Sequence, residues 1–159
     1  MGGVARPIVV ALGSNLGDRT SHLRFAITRL DAAIGPLRMS SFHDTAPAGV
    51  DPAQPRYLNA VVVGASALPA HEVLAVLLAV ERDRGRERPW PGAPRTLDLD
   101  LVLCGDEIVE EPGLQVPHPR FRERTFVLEP LAEIAPGLVD PVTRLTVAQL
   151  LEALRGRAG

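Results

Sequence analysis

The chain of 159 residues contains no lysine: all 17 of its basic side chains are arginine, set against 19 Asp and Glu for a formal charge of −2. Without lysine the Gly-x-x-x-x-Gly-Lys phosphate loop is impossible. Without a basic excess a general nucleic-acid-binding surface is not expected. The one cysteine, Cys104, can neither close an internal disulfide nor build a cysteine-based zinc site. Apolar runs such as Ala60–Gly64 fall far short of the roughly 20 residues that span a bilayer. Residues 1–6 lack a charged segment followed by a long apolar one, so no signal peptide is expected. Repeats and low-complexity linkers are also missing. A 46% hydrophobic and 23% charged composition excludes disorder. These absences predict one soluble, cytoplasmic domain over residues 1–159, monomeric, with no nucleic-acid and no membrane partner. A chain this long buries about two thirds of its unfolded surface.

The elements follow from apolar spacing. Ile8-Val-Val-Ala-Leu12 reads as a buried strand, and Gly13-Ser-Asn-Leu-Gly17 as a turn. Asp18 and Thr20 can cap a helix whose Leu23, Ala26, Ile27, Leu30 and Ile34 share one face, stopped by Gly35-Pro36. Leu37 to Thr45 is predicted as a second strand, 46–56 as a loop, and Tyr57 to Ala67 as a third strand. Pro69 suits the start of a second helix with Val73, Leu74, Leu77, Leu78 and either Val80 or Glu81 on its core face. Residues 81–95 become charged and then Pro/Gly-rich, hence loop. Leu97 to Cys104 is a fourth strand, returning through Gly105-Asp106 to Glu107–Glu110 as a hairpin. Arg124 to Ile134 and Thr146 to Leu154 read as helices. The order predicts an α+β fold, a ferredoxin-like βαββαβ sandwich with C-terminal helical additions.

Pro94-Arg-Thr-Leu-Asp-Leu-Asp-Leu-Val-Leu103 is the most informative stretch. On a strand, Asp98 and Asp100 share one face while Leu97, Leu99, Leu101 and Leu103 share the core face. Two carboxylates roughly 7 Å apart on a rigid strand repel unless a cation neutralises them, which suits one Mg²⁺ or two bridged by phosphates. A solvated polar face explains the alternation equally well. Arg95, at the entry to this strand, adds a phosphate-binding guanidinium. Carboxylates that hold Mg²⁺ beside arginines are the parts of a phosphoryl-transfer site.

Composition bias toward GC-rich codons, with 14 Gly and 15 Pro, accounts for Arg in place of Lys. Position is more telling, since eight of the 17 arginines fall within Arg82–Arg95 and Arg120–Arg124. His118 stands between Pro117 and Pro119, which presents its ring rigidly, either as a ligand group or as a structural histidine. Tyr57, the only tyrosine, shares a strand face with Asn59, whose amide suits the edge of a heterocycle or a satisfied strand end. Phe126 is a core residue or a stacking one, and Trp90, between two prolines, a loop anchor.

Taken together, Ala11-Leu-Gly-Ser-Asn-Leu-Gly17, Ser40-Ser-Phe42, Tyr57-Leu-Asn-Ala60, Pro94–Leu101, Val116-Pro-His-Pro119 and Arg124-x-Phe-Val-Leu-x-Pro-Leu131 resemble the 6-hydroxymethyl-7,8-dihydropterin pyrophosphokinase family of folate biosynthesis. The resemblance implies transfer of the terminal pyrophosphate of ATP to the pterin hydroxymethyl group, with release of AMP. It implies that Asp98 and Asp100 hold two Mg²⁺, and that they form the catalytic set with Arg86 and Arg95. Tyr57 and Phe126 would sandwich the pterin, Thr45 and Asn59 would bond its edge, and Ala48 and Trp90 would complete its pocket. Glu81, Arg88, Arg95, Leu101, His118 and Arg124 would surround ATP. The sequence departs from the family pattern at Trp90-Pro-Gly-Ala-Pro-Arg95, at Ala46 and Ala48, and at His43, where Tyr is frequent. A nucleotidyl transferase, which would release pyrophosphate, and a non-catalytic ligand-binding module are the alternatives.

Overall fold

The computed structural model describes residues 3–46, 53–85 and 96–158. Strand β1 (Arg6–Ser14) is the centre of the sheet, and Ile8, Val9 and Val10 are inaccessible to solvent. A strand apolar on both faces is stable only when both are covered. It pairs antiparallel with β4 (Tyr57–Ser66) on one side and β5 (Asp98–Cys104) on the other. Beyond β4 lie two short strands, β2 (Arg38–Met39) and β3 (His43–Thr45), so the order is β2-β4-β1-β5 with β3 also on β4.

Helices α1 (Arg19–Ile34) and α2 (Ala70–Asp83) cover the face carrying Ile8, Val10 and Leu12. Asp18 caps α1, accepting from the Ser21 N–H at 3.1 Å. On α2 the buried positions are Ala70, Val73, Leu77, Val80 and Glu81, a helical stripe that leaves Leu78 at 50% exposure, contrary to the expected core role. The opposite face, with Val9, Val61 and Val63, packs on α3 (Thr125–Ile134) and α4 (Val147–Ala158). Thr146 and Gln149 bond each other's backbone N–H and so define where α4 begins. The result is a mixed α/β protein with an antiparallel sheet between two helical layers.

Three expectations are corrected. The second strand is not continuous. The Ser40 hydroxyl accepts from the Val61 N–H at 3.0 Å, taking the place of a backbone carbonyl, and the ladder breaks into β2 and β3. Leu103 does not share the face of Leu97, Leu99 and Leu101: Val9 pairs with Leu103 but Val10 with Leu101, so Val102 bulges and resets the alternation. The segment after Gly105 does not return on β5. It forms β6 (Val109–Glu111), which pairs with β7 (Leu114–Val116) through a turn at Pro112-Gly113, where Gly113 takes φ +82. A short 3₁₀ turn, Phe121–Glu123, then leads into α3.

Candidate active site

The register places a row of site residues across the sheet. Asp98 lies opposite Gly13, Gly13 opposite Asn59, and Asn59 opposite His43, while Asp100 lies opposite Ala11. All face the α3 layer. All of these but His43 floor a cavity of about 170 Å³ whose walls are Tyr57, Thr45, Arg124 and Phe126. The Asn59 amide is only 6% exposed and donates to Thr45 Oγ1 at 2.5 Å, so the two predicted edge-binding residues are fixed to each other. Phe126 stands at the first turn of α3, with the Arg124 guanidinium 5.4 Å from its ring centroid, a cation–π distance.

Gly13 has a larger part than a turn residue. It belongs to β1, and a Cβ built there would stand 3.2 Å from Asn59 Oδ1 and 3.6 Å from Tyr57 Cδ1. A glycine inside an apolar strand is itself the signal for such a close approach.

A second cavity, of about 360 Å³, opens on the outer side of β5. Leu74, Leu101, Gln115 and His118 line it, and so does Asp100, which therefore borders both cavities. The sequence placed Leu74 on the core face of α2 and gave Gln115 no role, because β7 and its approach to β5 were not expected. The His118 N–H donates to the Val102 carbonyl at 2.9 Å, and His118 Nδ1 accepts from the Arg120 N–H at 3.1 Å. Burial, reinforced by the nearby Arg124 charge, pushes the imidazole down to about 4 against the opposing pull of Asp98. At neutral pH the ring is therefore uncharged with its proton on Nε2, a donor directed by a fixed backbone.

Glu81, expected at ATP, lies 3% exposed under β5, where its Oε2 accepts from the Leu99 N–H at 2.7 Å. Leu99 separates the two aspartates, and an edge strand otherwise leaves such outward N–H groups unbonded. Glu81 thus holds the acidic pair's backbone in place.

The arginines divide. Arg124 lines the first cavity, whereas Arg122 turns away to clasp Asp140, which is wholly buried. Arg84 donates to His22 Nδ1 at 2.9 Å and Ser21 Oγ at 3.0 Å on α1. Ala48, Arg86, Arg88, Trp90 and Arg95 lie outside the described residues.

Among the described residues no group of three or more His, Cys, Asp and Glu could hold a metal. A divalent ion at Asp98 and Asp100 would draw on two hard oxygen ligands and complete its shell with water or phosphate, which is the usual habit of Mg²⁺.

Comparison with known proteins bears on this pair of cavities. A family model for 7,8-dihydro-6-hydroxymethylpterin-pyrophosphokinase (HPPK) matches residues 9–136, a span that contains every described residue named above as lining either cavity. The chain belongs to the HPPK family. A 2-amino-4-hydroxy-6-hydroxymethyldihydropteridine pyrophosphokinase of Synechocystis is 44% identical over 146 residues, 91% of this chain and 74% of that protein. A Bacillus subtilis protein of the same name is 43% identical over 127 residues, 79% of this chain and 75% of that one. The mitochondrial folate synthesis bifunctional protein of Arabidopsis thaliana is 42% identical over 134 residues, but this HPPK chain spans only 24% of it. In structure, a Plasmodium falciparum HPPK-DHPS superposes with a TM-score of 0.80 over 99% of this chain and 46% of that one, at 13% identity. That likeness concerns the fold alone.

Proposed function

We propose that this chain transfers the terminal pyrophosphate of ATP to the hydroxymethyl group of 6-hydroxymethyl-7,8-dihydropterin, with Mg²⁺, in folate biosynthesis. The observation that carries the reading is the shared border: Asp100, beside Asp98, lines both a small aromatic-walled cavity and a larger cavity behind β5. The first suits a flat ring between Tyr57 and Phe126, its amide edge against Asn59 and Thr45. The second suits the nucleotide, with Leu101 and Leu74 as apolar wall and the His118 Nε2–H as donor. Family membership supports the assignment of the two ligands. We further read the antiparallel order β2-β4-β1-β5, with α1 and α2 on one face, as the ferredoxin-like arrangement and α3 and α4 as additions to it.

In the reaction the pterin hydroxyl oxygen bonds to the β-phosphorus of ATP. The bond from that phosphorus to the oxygen bridging to the α-phosphate breaks, AMP leaves, and the hydroxyl proton is lost. Bound Mg²⁺ would neutralise phosphate charge between the two ligands. The chain's own residues supply placement. Glu81 holds β5, the Gly13 floor lets the ring approach the acidic row, and Arg124 carries positive charge to the rim beside Phe126. Arg86, Arg88 and Arg95 are proposed to add charge from the 86–95 segment, and Ala48 and Trp90 to close the pterin side. Incubation of the protein with ATP, Mg²⁺ and the pterin should yield AMP and the pterin diphosphate in equal amounts. Release of ADP, release of pyrophosphate, or binding without turnover would each refute the reading.

A further inference from the structure

We propose that His43 and Glu133 are positioning residues for the pterin cavity: they clasp its β3 wall to α3 and so set the width available to the ring. This rests on the function proposed above. Neither side chain lines either cavity. Both lie just behind the first one, His43 continuing the row Asp98–Gly13–Asn59 on the α3 face. His43 Nε2 meets Glu133 Oε1 at 2.6 Å, and the Ser41 hydroxyl lies 2.8 Å from each Glu133 oxygen. Hydrogen bonding from His43, with Ser41, holds the Glu133 carboxyl below the usual carboxylate range.

The geometry explains how such a contact reaches the ring. Strand β3 has three residues and, among the described residues, pairs with β4 only, so its outer edge there is held by side-chain ties. His43 and Thr45 are two apart and share a face. Thr45 in turn receives the Asn59 amide, and Tyr57 is its cross-strand partner. On the other wall, Phe126 lies seven residues before Glu133, two turns along the same side of α3. The clasp thus joins the element that reads the ring edge to the element that stacks on its face. Ser41 and Glu133 both meet the same imidazole nitrogen, so the three residues cannot act as a Ser-His-acid relay, which needs both ring nitrogens.

The test is affinity, measured separately for each ligand. Pterin binding is titrated by its own fluorescence with a non-hydrolysable ATP analogue and Mg²⁺ present, and analogue binding by calorimetry. His43→Ala should weaken pterin binding about tenfold, the size of one compromised hydrogen bond, and leave analogue binding within about twofold. Ser41 still bonds Glu133 and Arg38 still donates to the Ile134 carbonyl at 2.7 Å, so the sheet edge stays attached to α3 and the fold is kept. Glu133→Ala should give the same split. His43→Gln, whose amide can still donate to Glu133, should recover most of the affinity. Arg29→Ala, which breaks an exposed pair with Asp83 between α1 and α2, should change neither ligand. Unchanged pterin affinity, equal weakening of both ligands, or no recovery by His43→Gln overturns the proposal. Turnover of the unsubstituted chain is read in parallel. If pterin binds without AMP release, the enzymatic reading fails and the affinity split still decides the clasp; if no pterin binds, both fail.

Discussion

Gly13→Ala offers a sharp probe of the cavity floor, because one methyl group is placed against one identified atom. The new Cβ would lie 3.2 Å from Asn59 Oδ1 and 3.6 Å from the Tyr57 ring. A carbon and an oxygen at that distance are a few tenths of an ångström too close, so the Asn59 amide must give way. It is buried at 6% exposure and bonded to Thr45 at 2.5 Å, so moving it strains that bond. Gly13 does not use a left-handed backbone, since the positive-φ glycines are Gly17, Gly85, Gly105 and Gly113. Alanine is therefore allowed at this strand position, and the roughly 0.5–1 kcal/mol that glycine costs in a strand is recovered, offsetting part of the clash. Global stability should change by less than about 1 kcal/mol. Pterin binding should lose one or two edge hydrogen bonds, about 1–3 kcal/mol, or about five- to 150-fold in Kd. The nucleotide cavity does not include Gly13, so its affinity should hold. Calorimetric titration of each ligand, with a urea unfolding curve, separates these outcomes. Pterin affinity within twofold of the original, or a matching loss for the nucleotide, would refute the assignment of Gly13 as the floor.

Asp100→Asn keeps shape while removing a charge from the border of both cavities, and should lower kcat by about 10³-fold with little change in fold; near-normal turnover in a steady-state assay would defeat the proposed metal role. Arg122→Ala leaves the wholly buried Asp140 carboxylate without its cation, bonded then only to the Thr143 hydroxyl and the Val142 N–H, and should cost about 3 kcal/mol in urea unfolding; a loss under 1 kcal/mol contradicts the pairing. His118 should titrate near 4 by nuclear magnetic resonance, against 6.5 in the unfolded chain. Between those values the unfolded chain binds a proton that the folded one does not, so stability should fall as pH drops across that window. A midpoint near 6.5 in the folded protein would show that the ring is neither buried nor beside Arg124 as described.

Much of this site was legible before any fold was known. Alternation alone put Asp98 and Asp100 on one face of β5, because strand geometry forces it. Apolar spacing located α1, α2 and α3 to within a few residues, and Asp18 signalled the start of α1. Ordered motifs pointed to the family. What could not be read was where partners lie. Nothing local tells that the Ser40 hydroxyl will replace a backbone carbonyl and split a strand, or that Val102 will bulge and turn Leu103 to the other face. Nor does the run Arg120, Arg122, Arg124 reveal that its middle member clasps Asp140 while its last lines a cavity.

The division has a physical basis. Periodicity, capping and charge type act within a few residues, through backbone geometry that is the same in every fold. By themselves they determined the elements, the acidic face and the chemistry on offer. Register, bulges and ion-pair partners depend on residues tens of positions apart and on which surfaces must be buried together. Only the tertiary structure decided that Gly13 is a floor, that Glu81 braces the strand between the two aspartates, and that Asp100 borders both cavities at once.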